Sequence, residues 1–387
     1  MPTPARRVAP FGTTVFTEMN ALARQHDAVN LGQGMPDFDG PAAAIEAAVT
    51  ALRSGANQYP PGPGIELLRQ SVADHALRFY GLEIDPVGGV LVTPGATEAV
   101  FCAIMGLVDP GDEVIVIEPF FDSYLPGVQM AGALPVCVPL RAPGWTLDPD
   151  ELRTAFSART RAIILNTPHN PTGRVFTHAE LALIAGLCRE FDVTVISDEV
   201  YEHLVYDDAR HIPIATLPEM FTRTVTIGSA GKTFGMTGWK IGWVYGPPEL
   251  VAGVWRAHQF VAFATNHPAQ RAVAHAFTLG ETYYQDYQET YLRKRVLLLD
   301  GLAHAGLTTM TPQGTYFAMA DFSGVFDGDA EAFARYLITE VGVACIPPTS
   351  FYSAEHRFLG QRHVRFAFCK HDDTLRRAAE RLARLQR

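Results

Sequence analysis

The sequence contains few cysteines, and their spacing is not that of a disulfide framework or a zinc site. Their number is odd and no Cys-x-x-Cys pair occurs, whereas both kinds of site are built from regularly paired residues. The five lie among apolar neighbours and are expected to be small core residues: Cys102, Cys137, Cys188, Cys345 and Cys369. We therefore predict a reduced protein without a metal site.

The sequence also lacks a long hydrophobic run. Its longest uninterrupted apolar stretch, residues 99–108, is about half as long as a membrane-spanning helix requires. The N-terminal stretch MPTPARRVAPFG carries two arginines but no apolar core of a signal peptide. These features predict a cytoplasmic protein that has no membrane partner.

Basic residues are outnumbered, with 31 Lys and Arg against 41 Asp and Glu and a formal net charge of −10. Nucleic acids require a cationic face, so this balance argues against a nucleic-acid partner. A hydrophobic content of 48% over 387 residues excludes wholesale disorder and indicates two or three domains. The cations that bind an anionic substrate would have to be placed individually.

Seven short apolar runs alternate with helical patterns in the middle of the chain. They are residues 89–93, 113–118, 134–140, 161–166, 193–197, 224–228 and 240–246. Runs that are apolar at successive positions are typical of strands covered on both faces, as in a mainly parallel sheet. One intervening helix is predicted over 177–191, because Thr177 and Glu180 form a capping-box pattern. We predict an α/β domain over residues 41–285.

The pattern changes in the last hundred residues. A long helix over 283–305 precedes strands over 315–320, 343–346 and 363–368, a helix over 330–340 and a closing helix with Asp373 as its candidate N-cap. This indicates a smaller α+β domain over residues 286–387. Residues 1–40 fall outside the alternation and are expected to form an arm and part of the small domain.

Polar segments follow several of the apolar runs, at the sheet edge where open α/β folds bind ligands. They are TPGATE (93–98), EPFF (118–121), NTPHNPTG (166–173), SDEVY (197–201) and GSAGKT (228–233). Singly, each also fits an ordinary turn, core packing or an exposed loop lysine. Together they offer a phosphate-binding turn, an aromatic ring, an amide, an acid, a tyrosine and a lysine. That combination is what pyridoxal 5′-phosphate (PLP) requires.

Along essentially its whole length the chain resembles the fold-type I, class I/II PLP aminotransferases. The matching motifs are NLGQGMPDF (30–38), NQY (57–59), NPTG (170–173), DEVY (198–201), Ser229-x-x-Lys232 and Arg365. The stretches IEPFFDSY, TIGSAGKTF and TGWKIGW are similar to the branch of kynurenine, methionine and N-succinyldiaminopimelate aminotransferases. This resemblance implies a large domain with a mainly parallel seven-stranded sheet between helices and a small α+β domain.

The resemblance also implies roles around the cofactor ring. Lys232 would form the Schiff base and move the proton. Asp198 would pair with the protonated pyridine nitrogen, while Asn170 and Tyr201 would hydrogen-bond the ring 3-oxygen. Phe121 would stack on the ring.

The phosphate is expected to bind to the backbone amides of Ala96 and Thr97 and to the side chains of Ser229 and Lys240. Lys240 occupies a position where many relatives carry arginine. Tyr59 would reach the phosphate of the other subunit, which implies a homodimer with shared active sites.

The substrate side is expected to centre on Arg365, which would bind the α-carboxylate through two hydrogen bonds. The Gly34 backbone would close over that carboxylate. Phe16 and Phe263 are candidate walls of the pocket or plain core residues. No motif supplies a second arginine for a distal carboxylate, which favours donors with neutral side chains.

The resulting hypothesis is a ping-pong aminotransferase that moves the amino group of an L-amino acid of the glutamine, methionine, aromatic or kynurenine type to a 2-oxo acid. N-succinyldiaminopimelate transamination and β-elimination on cysteine S-conjugates at the same site remain alternatives. A cofactor-binding regulator is disfavoured, since no helix-turn-helix precedes residue 30 and the charge is negative.

Overall fold

The computed structural model describes residues 2–386. Its strands are β1 (Val29–Asn30), β2 (Val90–Thr93), β3 (Glu113–Glu118), β4 (Leu134–Pro139), β5 (Thr160–Asn166), β6 (Thr194–Asp198), β7 (Thr224–Ser229), β8 (Gly242–Tyr245), β9 (Thr308–Thr309), β10 (Phe317–Asp321), β11 (Val343–Ala344) and β12 (His363–Ala367). The α/β fold with a mostly parallel seven-stranded sheet is confirmed. Each of the seven runs predicted from the sequence contributes one strand to that sheet.

The strand order of the large sheet is β2-β8-β7-β6-β5-β3-β4. β8 pairs antiparallel with both of its neighbours, β2 and β7, whereas every other pairing in this sheet is parallel. The carboxyl ends of the six co-directional strands therefore meet the amino end of β8 at one edge.

Helices cover both faces of the large sheet. The helices are α1 (Val15–Gln25), α2 (Ala42–Arg53), α3 (Glu66–Tyr80), α4 (Ala96–Leu107), α5 (Tyr124–Met130), α6 (Pro149–Ala155), α7 (His178–Glu190), α8 (Ala230–Thr233), α9 (Pro248–Val261), α10 (His267–Ala276), α11 (Glu281–His304), α12 (Ala330–Tyr336) and α13 (Asp372–Leu382). On one face α4, α5 and α9 share a core with the strands. On the other, α3 and α10 cover one end and α6 and α7 cover the other end. Burial on both faces explains why the strands are apolar at successive positions.

Both ends of the chain contribute to a second core. β1 pairs parallel with β11, and β10 lies between β9 and β12 in a three-stranded antiparallel sheet. Residues of α1, α11, α12 and α13 pack together around these strands. The domain limits at residues 40 and 285 stay predictions.

The helix predicted over 330–340 is present with a change of helix type, whereas the predicted cap of the closing helix is wrong. The helix predicted over 330–340 ends its α-helical part at Tyr336 and continues as a π-helical turn. The closing helix begins at Asp372, so Asp373 lies in its first turn and pairs with Arg376 instead of capping it. Asp37, far away in the sequence, accepts hydrogen bonds from the His371 N–H and the Thr374 hydroxyl at that helix end.

The expectations about cysteines and membrane helices have mixed outcomes. Four of the cysteines are buried, and Cys137 is only partly buried. Within residues 2–386, no helix combines the length and apolarity that crossing a bilayer requires.

The capping box of α7 generates a test of local stability. Thr177 accepts a hydrogen bond from the Glu180 N–H, and Glu180 accepts one from the Thr177 N–H. Thr177→Ala should cost about 1 kcal/mol, so backbone amides in the first turn of α7 should exchange hydrogen about fivefold faster. Thr154→Ala, an exposed threonine inside α6, is the control and should leave α7 unchanged. Equal exchange in both variants would contradict the prediction.

Candidate active site

A cavity of about 420 Å³ opens at the edge where the strand ends meet. Twelve of the fourteen residues singled out from the sequence line it: Phe16, Gly34, Ala96, Thr97, Phe121, Asn170, Asp198, Tyr201, Ser229, Lys232, Lys240 and Arg365. The large sheet, the N-terminal arm and β12 all contribute to this lining. The fold therefore brings together side chains that are far apart in the sequence.

The reversed strand β8 explains how Lys240 reaches this edge. Ser229 ends β7, Thr93 ends β2, and both are in register with Gly242 at the start of β8. Lys240, two residues earlier, has a left-handed backbone conformation with φ of 54°. The chain thus returns directly from Lys232 to the same edge.

The first turn of α4 forms a cradle suited to an anion. Gly95 precedes the helix with φ of 87°, a conformation that favours glycine. A Cβ added there would lie 3.2 Å from Lys240 Nζ, and one added at Gly242 would lie 2.8 Å from the Ala96 nitrogen. Helix N-termini favour phosphate because free N–H groups point at it. With Ser229 nearby, this cradle has the donor set that a phosphate ester needs.

Asp198 is buried at the end of β6 and is held by a tyrosine that sequence reasoning missed. The Tyr124 hydroxyl donates to Asp198 Oδ2 at 2.5 Å. Burial raises the pKa of Asp198 to about 6, and the Tyr124 hydrogen bond opposes this shift. A buried carboxylate at this edge suits a cationic ring N–H. Tyr124 lies within the IEPFFDSY stretch, which was the available signal.

Asn166 is a second missed residue. Its side chain donates to the Asp198 carbonyl at 2.8 Å and accepts from the Asn170 N–H at 2.8 Å. It therefore connects the ends of β5 and β6 and fixes the turn that presents Asn170. The sequence signal was its place at the end of a predicted strand.

Lys232 lies on the short helix α8 after β7, and its carbonyl accepts a hydrogen bond from the Tyr287 hydroxyl at 2.6 Å. Its Nζ lies 5.6 Å from the centre of the Tyr316 ring and 6.0 Å from that of Tyr201. The pKa of Lys232 is lowered to about 8, mainly by burial and to a smaller extent by the Lys240 and Arg365 charges. A lysine with a lowered pKa supplies a neutral amine for attack on a carbonyl.

Arg365 reaches the cavity from β12 and is almost fully buried. Its Nη1 donates to Asn170 Oδ1 and its Nη2 to the Gly32 carbonyl, both at 2.9 Å. The Phe317 ring lies against the guanidinium, with 4.0 Å from Cζ to the ring centre. The Nε atom is buried without a partner. Because burial lowers the Arg365 pKa only to about 10, the group stays cationic and suits a carboxylate ligand.

The remaining lining residues wall the cavity. The Phe16 ring lies 5.2 Å from Arg365 Cζ. Tyr201 packs edge-on against Tyr316, whose hydroxyl donates to the Gly34 carbonyl at 2.9 Å. Gly34 has no room for a side chain, since an added Cβ would lie 2.6 Å from Phe317.

Two aromatic residues discussed from the sequence lie outside the cavity of their own chain. Tyr59 is 83% exposed and packs edge-on against Phe263, with 5.3 Å between ring centres. Phe263 is also exposed, so it is neither a wall of this cavity nor a core residue. Phe260 and Val261 expose further apolar surface at neighbouring positions.

Comparison with known proteins identifies the family. Residues 26–382 match the family model of class I and II aminotransferases. The chain belongs to the class I and II aminotransferases. Like other members, this aminotransferase uses PLP, and its phosphate cradle, buried carboxylate and lysine fit that cofactor.

Three relatives of this aminotransferase show its branch. A probable N-succinyldiaminopimelate aminotransferase, DapC, from Mycobacterium tuberculosis is 47% identical over 97% of each chain. Human kynurenine–oxoglutarate transaminase 1 is 41% identical over 98% of this chain and 97% of its own. The solved structure of YbdL from Escherichia coli, with an identified methionine aminotransferase function, is 38% identical, covers 99% of this chain and 100% of its own, and has a TM-score of 0.95. The predicted branch is confirmed.

The Tyr124–Asp198 hydrogen bond generates a test on cofactor affinity. Because the bond favours the ionised carboxylate, Tyr124→Phe should raise the pKa of Asp198 above its value of about 6. PLP affinity of the protein freed of cofactor should fall about tenfold at pH 7. In the wild type, affinity should fall as the pH drops through about 6, and in the variant this fall should begin at higher pH. Spectral titration with PLP measures both effects.

Tyr206→Phe is the matched control, since it removes a buried hydroxyl that donates to the Thr315 carbonyl, outside the cavity lining. Its pH profile should match the wild type. A Tyr124→Phe profile that also matches the wild type would show that the hydroxyl does not tune Asp198.

Proposed function

We propose that this aminotransferase takes an L-amino acid with a neutral side chain, of the glutamine, methionine, aromatic or kynurenine type, and passes the amino group to a 2-oxo acid. The observation that supports the proposal most directly is which cationic side chains line the cavity. Within residues 2–386, the cationic lining residues are Lys232, Lys240 and Arg365. Each has a proposed use, so this chain offers no further cation for a distal carboxylate.

An acidic residue on the substrate side supports the same preference. Asp122 lines the cavity with Arg365, and burial raises the pKa of its carboxyl. When ionised, Asp122 would repel a second carboxylate on the donor. The substrate side therefore suits neutral groups, and the uncharged residues Asn20 and Gln33 are also part of the cavity lining.

Different residues of the cavity bind the substrate, orient it and move its proton. When bound, PLP supplies a carbonyl that condenses with amines and a ring that accepts electrons from the substrate α-carbon. Arg365 binds the α-carboxylate, and its hydrogen bond to Asn170 orients the guanidinium. Lys232 Nζ would take the proton from the substrate α-carbon and deliver it to the cofactor carbon that is bonded to the substrate nitrogen, while Asp198 would hold a proton on the ring nitrogen.

The two substrates use one cavity in turn, so we propose ping-pong kinetics. A single guanidinium, that of Arg365, serves the α-carboxylate of both the amino acid and the oxo acid. A cavity of about 420 Å³ that must also hold the cofactor leaves room for one substrate at a time.

N-succinyldiaminopimelate is the second candidate donor. The observation in its favour is the 47% identity to a probable N-succinyldiaminopimelate aminotransferase. This donor carries distal carboxylates, so it would require cations beyond those of this cavity. A donor comparison separates the two candidates directly.

We further propose a homodimer with shared active sites. Tyr59, Phe260 and Phe263 expose aromatic surface on one chain, and monomeric proteins rarely leave such a patch uncovered. A second copy of this chain would cover it and bring Tyr59 to the partner's phosphate cradle.

A donor screen tests the proposed specificity. Glutamine, methionine, phenylalanine and kynurenine should be turned over with kcat/KM at least tenfold above those of glutamate and N-succinyldiaminopimelate, because the latter two present an uncompensated carboxylate. Loss of the cofactor absorption band on adding each donor measures the first half-reaction, and Lys232→Ala is the inactive blank. Preference for N-succinyldiaminopimelate would overturn the neutral-donor proposal.

The variant Asp122→Asn tests whether the charge of Asp122 contributes to this donor preference. Removing this charge should lower the KM for glutamate about fivefold, with little change for methionine. An equal change for both donors would show that Asp122 does not act through its charge.

Tyr59 provides the test of the shared site. Tyr59→Phe should weaken PLP binding about tenfold, although this residue does not line the cavity of its own chain. Tyr336→Phe, a partly exposed tyrosine on α12, is the control and should leave affinity unchanged. Unchanged affinity in Tyr59→Phe, or a monomer in sedimentation experiments, would contradict the proposal.

A further inference from the structure

A second group of chemically capable side chains lies outside the cavity. His75 on α3 meets Glu202 and His203, which follow β6 in the turn just after Tyr201. The three side chains are 4%, 6% and 9% exposed, respectively. None of them lines the proposed active site, so the function proposed above does not account for them.

The donor atoms of this group lie within 4.8 Å of one another. His75 Nε2 lies 3.2 Å from His203 Nε2 and 3.3 Å from Glu202 Oε2. His203 Nε2 lies 4.0 Å from Glu202 Oε1. A tetrahedral metal with bonds of about 2.0–2.1 Å separates its ligand atoms by about 3.3–3.4 Å. The two separations measured from His75 Nε2 are close to this value, and the third, from His203 Nε2 to the other carboxylate oxygen of Glu202, is longer.

A metal ion would replace the proton that the two imidazoles share in this arrangement. Two imidazole nitrogens that face each other share a single proton, because two N–H groups cannot point at one another. A divalent cation accepts the lone pairs of both nitrogens and the charge of the carboxylate at once. Two imidazoles and one carboxylate favour zinc or a similar borderline metal over magnesium or calcium.

The surroundings hold the three ligands in place. The Tyr80 hydroxyl donates to Glu202 Oε2 at 2.5 Å, the kind of outer hydrogen bond that orients metal ligands. The His203 ring packs on Tyr284 with 4.3 Å between centres, and Phe79 lies 4.7 Å from the His75 ring. These rings restrict both imidazoles to the converging orientation.

A second group, Glu98, Cys102 and His258, provides the contrast. There the Cys102 thiol and the His258 imidazole both contact one oxygen, Glu98 Oε1, at 3.0 and 2.7 Å. These are ordinary hydrogen bonds to a single acceptor. Burial also raises the pKa of the Cys102 thiol, and a thiol must lose its proton to bind a metal.

We propose that His75, Glu202 and His203 form a zinc site, with water as the fourth ligand. The metal would tie α3 to the turn that follows Tyr201 and would stabilise that side of the large domain. The site is separate from PLP chemistry, so it stands whether or not the donor preference proposed above is correct.

Zinc binding by the holoenzyme tests this site. Untagged holoenzyme, stripped with a chelator and dialysed, should bind one zinc per chain in competition with a chromogenic chelator. His75→Asn and His203→Asn should each weaken binding about tenfold or more. His258→Asn removes a buried histidine that contacts a glutamate in the contrasting group, and should leave zinc binding unchanged. Cobalt should report a tetrahedral site through its visible bands in the wild type and in His258→Asn only.

Thermal unfolding supplies a second readout. Zinc should raise the midpoint of the wild type and of His258→Asn but not of Glu202→Gln, which keeps the side-chain volume, because only a bound metal stabilises the folded state. Absence of stoichiometric zinc in the wild type would overturn the proposal. Zinc that persists in His75→Asn, His203→Asn and Glu202→Gln, or that is lost in His258→Asn, would overturn it too.

Discussion

The rest of the structure depends on one constraint, which is that three cationic side chains share one cavity in an acidic protein. Lys232, Lys240 and Arg365 line the same space, and their mutual repulsion costs free energy that nearby carboxylates only partly offset. The cost is compensated when a phosphate and a carboxylate enter. Burial is the main cause of the lowered Lys232 pKa, and the same repulsion adds to it, so the feature that prepares the site for anions also helps to prepare its nucleophile.

Neighbouring residues control the ionisation and the orientation of the charged side chains in the cavity. Tyr124 keeps Asp198 available as an anion despite its burial, and Asn170 fixes the direction of Arg365. The first contact joins α5 to the end of β6, and the second joins the turn after β5 to β12. Chemistry and folding therefore share the same hydrogen bonds. A substitution at one of these contacts is therefore expected to affect both cofactor binding and local stability.

Much of the site could be predicted because local sequence encodes it. The apolar runs marked the strands, and the polar residues after them marked the ligand edge, since co-directional strands end together. Lys240 was placed correctly only through the family resemblance, because local patterns do not reveal that β8 runs against its neighbours. The capping box of α7 was predicted because both of its partners lie within one helical turn.

The features that sequence reasoning missed depend on contacts between distant segments. Tyr124 and Asn166 became relevant only when strand order placed them beside Asp198. Asp373 lost its predicted capping place because Asp37 reaches that helix end from the other end of the chain. His75 and His203 are likewise far apart in the sequence, and no local motif links them.

The pairing of β1 with β11 has a consequence for how the chain is made. Val29 lies beside Val343, so this strand pair can form only after the strands of the large sheet, which lie between the two segments in the sequence, have been synthesised. The large sheet can form before this pairing, whereas the arm waits without a partner. The side of the active site that holds Phe16, Gly34 and Arg365 therefore depends on a contact between distant segments, and we expect it to be completed after the large sheet.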